Sequence, residues 1–441
     1  AALTTIANET FGKVTATVED SAANLAANLA TASTDAITVK VTGATATAAQ
    51  LLAIDKVTSV VVDAKAVKTI TADAADVADV TTVLAAKTIA KAADVAVTID
   101  AADDITAIQA NSIAKLTTGV VTATVADASA SYLNSTLKDA KATDALTLTV
   151  NGTTATAADL NALDAKTKEV ITVEATKIEG TLADLNKVFV DVVTSTHFDT
   201  TSNSIKNVNI TDKTVAANDV DKIADKTAVV KATVTADSAA NLVEALQNAT
   251  TTDALTLTVN GTTATAANLA TLNSKTSVDV TVNATEVTGT FNELKAVYVD
   301  ATKADFLALG NENIVITDDS IAANIDTIAN ATTGKVTATL AAATAISDGE
   351  VAKLTHVNGT TDVISLTSSV TEADATALVA LAAKVSTVDT TAFNSVTTIT
   401  EVAGQVGSNG QNVVDALNIA GNDAAATITG AISVAQLNAI A

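Results

Sequence analysis

The sixteen-residue phrase TDALTLTVNGTTATAA runs from Thr143 to Ala158 and recurs letter for letter from Thr252 to Ala267. Its aspartates, Asp144 and Asp253, lie 109 residues apart, and the same step leads back to Asp35 in TDAITVKVTGATATAA and forward to Asp362 in TDVISLTSSV. A fixed period of this kind marks an architecture in which each unit buries a face of its neighbour, so it constrains the fold more than any composition does. Four units are expected, at about residues 14–120, 121–229, 230–335 and 336–441, within one continuous array over 1–441.

Within a unit the theme is strand then helix. VTATV (Val14–Val18) precedes EDSAANLAANLA, with Leu25 and Leu29 at helical spacing, and ITVKV (Ile37–Val41) precedes TAAQLLAI, where Thr47 and Gln50 form a capping-box pattern. The second unit reads as VTATV, LTLTV (Leu146–Val150), ITVEA, VFVDV (Val188–Val192) and VNITD, and five such strands divide 109 residues into coils of about 22. In LTLTV, Leu146, Leu148 and Val150 face one way and Thr147 and Thr149 the other, the period of a half-buried strand. Thr156, Thr181 and Thr290, each three residues before an acid and four before a leucine, read as helix caps. Gly152, Gly180, Gly261 and Gly289 precede such starts, where a turn with positive φ is expected. The fourth unit is expected to decay after Asp362 and to recover in its final coil from Thr427. The fold class expected is a repeat solenoid: a parallel β-sheet with short helices or turns in each coil, of β or β/α type.

Composition restricts what such an array can do. Apolar residues make up 48% but aromatics only 2%, with no Trp, so the interior must be narrow and filled by Ala, Val, Leu and Ile. The net charge is −24 and every one of the 25 basic residues is Lys. Phosphate recognition relies on Arg forks and Lys clusters, so neither nucleic acid nor an anionic membrane surface is an expected partner. No Cys is present, which excludes disulfides, thiol catalysis and thiolate metal sites. No apolar run reaches membrane-spanning length. The opening AALTTIAN, without Met, is expected of a processed or partial chain.

GTLADLN (Gly180–Asn186) and TATAADLNALDA (Thr154–Ala165), set in coils of strand, turn and capped helix, are similar to leucine-rich-repeat solenoids without their asparagine ladder. In texture the chain resembles more closely the Ala/Thr/Val/Asp-rich repeat regions of very large secreted bacterial proteins, including cyanobacterial surface-layer, adhesin and haemolysin-like proteins. That resemblance implies an extracellular or cell-surface location, self-association, and a structural role in a surface layer or filament, with a cell-surface glycan or anchor as a further partner. An adhesin stalk and an ice-binding or ligand-binding solenoid are the alternatives. The glycine-rich calcium nonapeptide of haemolysin-type proteins is absent, and only 16 Gly remain to build one.

No catalytic constellation is legible and no enzyme is expected. His197 and His356 are not separated by a multiple of 109 and fall outside the repeat design. The T-x-T pairs of the strands have the form of an ice-binding row, but Lys40, Glu174 and Asp279 interrupt them. Calcium is the one cofactor considered, because acids placed after strands, Asp63, Glu174, Asp212 and Asp318, supply the oxygen ligands it takes; the competing reading makes them solvated strand ends.

Overall fold

The computed structural model describes residues 2–201, 206–300, 305–342, 345–385, 393, 395–407, 410–420 and 424–441. It consists of small parallel β-sheets accompanied by short helices. Two compact units are delimited, Ala1–Asp212 with Lys226–Val230, and Lys213–Asp225 with Lys231–Ala441.

In the first unit, strands Thr15–Asp20, Ala36–Val41, Val62–Asp63 and Ile89–Ala90 form one sheet, and Thr45–Thr47, Thr69–Ala72, Ala96–Ile99, Val121–Thr124 and Ala145–Thr147 form a second. Every pairing is parallel, and each strand's partner in its sheet lies one turn of chain further on. Parallel neighbours need a crossover, supplied here by helices such as Ala48–Asp55 and Ala107–Ala114. The apolar alternation sets the register: Ile37, Val39 and Val41 are fully buried, as are Leu146, Leu148 and Val150.

Leu148 marks a handover. Ala145–Thr147 is the last strand of its sheet, while Thr149–Val150 opens a new one with Ile171–Val173 and Phe198–Asp199. The same step recurs in the second unit, where Ala254–Thr256 pairs with Val229–Thr233 and Thr258–Val259 pairs with Val280–Val282. Gly152 and Gly261 then turn the chain at φ 99° and 125°. Gly180 and Gly289 have a different role from the expected turn. Each ends a strand, and a Cβ there would lie 3.0 Å from the Cβ of Ala157 or Ala266, so glycine is needed for close approach to the first residue of a helix.

Several expectations are corrected. The coils are uneven: Thr15 faces Ala36 after 21 residues, Thr69 faces Ala96 after 27, and Lys177 faces Asn207 after 30. Many coils contain two strands, because TAT at Thr45–Thr47, Thr154–Thr156 and Thr263–Thr265 pairs in its own sheet before capping the helix that follows. VFVDV and the matching VYVDA are not strands. Leu185, Val188 and Phe189 share one helical face, as do Leu294, Val297 and Tyr298, and that spacing with the caps Thr181 and Thr290 places them in helices Leu182–Phe189 and Phe291–Tyr298. Nor does the pattern decay after Asp362, since strands Val363–Leu366 and Glu372–Asp374 and helix Ala375–Ala382 follow. Among the described residues no helix is long and apolar enough to cross a membrane.

Candidate functional site

The aspartates that define the period are all buried, at 3%, 0%, 3% and 2% exposure for Asp35, Asp144, Asp253 and Asp362. Asp144 shows why. Its Oδ1 accepts the Val121 N–H at 2.9 Å, and its Oδ2 accepts the Lys141 N–H at 2.9 Å. Asp35 does the same with Val14 and Ala32, and Asp362 with Val336 and Asn358. Asp253 accepts the Thr250 N–H at 2.8 Å. For Asp35, Asp144 and Asp362, one oxygen closes a local turn and the other holds the start of a strand one turn back in the chain. A buried carboxylate is tolerated when backbone amides satisfy its lone pairs.

A row of buried threonine hydroxyls, not singled out in the sequence, completes this seam. Thr58, Thr167 and Thr276, spaced by the repeat, donate to the carbonyls of Ile37, Leu146 and Leu255 at 2.6, 2.7 and 2.8 Å. Thr117 donates likewise to Val95 at 2.6 Å. The available signal was Thr, a polar residue or Thr, one residue and then the strand, as in TSVVV, TKEVITV and TSVDVTV. It was hidden by the abundance of threonine elsewhere.

Both histidines belong to the repeat after all. Asp55, Asp164 and Asn273 end three equivalent helices and bond to Thr88, His197 and Asp305 at 2.9, 2.7 and 3.0 Å. Asn111, Asp221 and Asp326 each occupy the fifth position of a helix, and their side-chain oxygens accept the backbone N–H of Asp139, Asn248 and His356 at 2.7, 2.6 and 2.6 Å. The separation of His197 and His356 misled because they occupy two different clasps. Burial pushes the Asp326 carboxyl up, but the His356 N–H and imidazole and the Thr355 hydroxyl outweigh it and hold Asp326 below the ordinary carboxylate range. A depressed carboxyl contributes stability above its unfolded pKa of about 4, and that contribution is lost as pH falls through the lower folded value. Thermal unfolding followed from neutral to acid pH is therefore expected to show a steeper loss below about pH 4 in the native chain than in Asp326→Asn.

The four proposed calcium ligands occupy separate settings. Asp63 faces Lys40 across a ladder and accepts the Lys65 N–H at 3.2 Å. Glu174 follows a strand, its N–H bonded to Val150, and its charge acts on the buried Lys206. Asp212 and Asp318 are true counterparts: they accept the N–H of Leu182 at 2.6 Å and of Phe291 at 2.7 Å, the first residues of two helices. An acid one turn further along the chain thus supplements the threonine cap of each helix. Among the described residues, no group of three or more acidic, His or Cys side chains could hold a metal.

One surface is distinct. Thr47, Thr71, Thr98 and Thr122 stand in unbroken register on four neighbouring strands, so the interruptions anticipated from Lys40, Glu174 and Asp279 do not apply to this column. With Asp73, Asp76 and Asp100 it lines an open cavity of about 520 Å³. Comparison with known proteins finds no matching family model, no matching curated protein and no matching solved structure.

Proposed function

We propose that the chain is one continuous solenoid and that it serves as a structural component of a bacterial extracellular or cell-surface assembly, a surface layer or filament formed by association of identical copies. The observation that carries this reading is where the recurring polar residues point. Asp35, Asp144 and Asp362, the buried threonines and both sets of clasps bond one turn to another rather than converging on a cleft. Chemistry concentrated between turns serves cohesion. An open edge supports the reading further: strand Ala425–Thr429 pairs only with Thr398–Val402, and helix Val434–Ile440 buries none of its residues, with Val434 and Leu437 at 74% and 53% exposure. Unpaired strand edges are templates for another chain.

Electron microscopy and sedimentation of the purified chain, with and without millimolar calcium, test the proposal. Ordered filaments or sheets are expected, and Leu437→Glu is expected to weaken them without lowering thermal stability. A monodisperse elongated monomer under both conditions would overturn self-assembly and favour an adhesin stalk. A second reading, a ligand-binding solenoid, is favoured by the threonine column and its flanking acids, whose hydroxyls and carboxylates suit a polyhydroxylated glycan. Glycan-panel binding that is lost in Thr71→Val with Thr98→Val would select it.

A further inference from the structure

One backbone position carries three different side chains in successive units. Val95, Lys206 and Glu312 each immediately precede a strand, Ala96–Ile99, Asn207–Ile210 and Asn313–Ser320. Their carbonyls accept from equivalent places one turn later: Val95 from the Thr117 hydroxyl at 2.6 Å, Lys206 from the Ala228 N–H at 3.3 Å, and Glu312 from the Thr332 hydroxyl at 2.8 Å. All three are buried, at 2%, 4% and 2% exposure. Valine needs no partner there, but a buried charge does.

Lys206 has its partners. Its ammonium donates to the carbonyls of Val173 at 2.6 Å and Ala175 at 2.9 Å. One repeat further on, the residues matching Val173 and Ala175 are Val282 and Ala284, and the ammonium is replaced by a carboxylate. Glu312 is only half satisfied: Oε2 accepts the Tyr298 hydroxyl at 3.0 Å and the N–H groups of Gly310 and Asn311 at 2.9 and 3.2 Å, while Oε1 is buried with no hydrogen-bond partner. Leaving such an oxygen unpaired costs more than a neutral group would. Glu312 also lines a cavity of about 440 Å³ together with Val282, Asn283, Ala284 and Asn311. Asn283 stands where the preceding unit has Glu174, so the unit that lost the ammonium also moved its acid onto Glu312.

We propose that Glu312 anchors a site for a hard divalent cation of calcium's class, in which the ion takes the place that the Lys206 ammonium holds in the preceding unit. Glu312 Oε1, the carbonyls of Val282 and Ala284 and the side-chain amide oxygens of Asn283 and Asn311 are its ligands. They are all oxygen, mostly neutral and carried partly by main chain, the donor set calcium accepts and magnesium, with its strict octahedron, does not. A single carboxylate places the affinity at about 10⁻⁴–10⁻³ M, the range of extracellular calcium modules. The site is independent of self-association.

The test uses the full chain and terbium, whose emission is sensitised by a nearby tyrosine. Tyr298 is bonded to Glu312, the chain has no Trp, and its other tyrosine, Tyr132, is half exposed. Saturable tyrosine-sensitised emission is expected, displaced by calcium and not by equal magnesium, retained in Tyr132→Phe and lost in Tyr298→Phe. Glu312→Lys, which rebuilds the Lys206 arrangement, is expected to weaken binding at least about tenfold. Glu312→Gln should do the same if the lysine variant disturbs the circular dichroism. The absence of saturable emission in the native chain, or its survival in both Glu312 variants, would overturn the proposal, as would loss in Tyr132→Phe. Calcium binding by calorimetry should persist in Tyr298→Phe.

Discussion

Asp144→Ala is expected to destabilise the chain by about 2–5 kcal/mol, because two buried donors, the N–H groups of Val121 and Lys141, lose their acceptor and each orphaned donor costs about 1–3 kcal/mol. The site is fully buried, so water cannot replace the carboxylate without opening the seam. Asp144→Asn preserves the shape and one acceptor, yet turns an NH₂ toward the second donor, and should fall between the native chain and the alanine variant. Denaturant unfolding followed by circular dichroism reads the difference. An alanine variant within about 0.5 kcal/mol of the native chain would show that the seam is not held this way. Asp362→Ala, which strands the N–H groups of Val336 and Asn358, should move in the same direction.

The second large effect lies at the handover between sheets. Leu148→Ala should cost about 2–5 kcal/mol, the range for deleting a buried leucine whose surroundings collapse only partly. Leu148 is fully buried between two strand segments that belong to different sheets. Leu307→Ala, at a residue 50% exposed, should stay within about 0.5 kcal/mol. Equal effects at the two positions would mean that the handover carries no special packing. Thermal and denaturant midpoints of the two variants, measured side by side, settle the comparison.

Much of the local structure could be read directly from residue types. The Thr47–Gln50 capping box, the caps at Thr156, Thr181 and Thr290, and the alternation of Leu146, Leu148 and Val150 all act within a few residues, where pattern is reliable. VFVDV failed because β-propensity is weak beside a helical face of Leu185, Val188 and Phe189. The strand at Thr154–Thr156 was hidden because the same threonine that caps a helix also ends a three-residue ladder. The partners of Asp144, His197 and Glu312 were illegible for another reason. Most of their bonds span between 14 and 33 residues, so the role of each depends on which turn faces which. Once those turns are placed, Val95, Lys206 and Glu312 fall at one position, a correspondence that the irregular loop lengths conceal from a fixed step.

The seam of Asp144 and its counterparts also bears on how such a chain can change length over evolutionary time. Its cohesive bonds are short-range in turns, and a sixteen-residue stretch is duplicated letter for letter. Unequal recombination between those stretches would remove or insert 109 residues in one event, and every aspartate would still meet an equivalent amide. An insertion of any other size would set an acid against the wrong turn. The seam therefore acts as a ruler: it permits growth by whole units and filters out the rest.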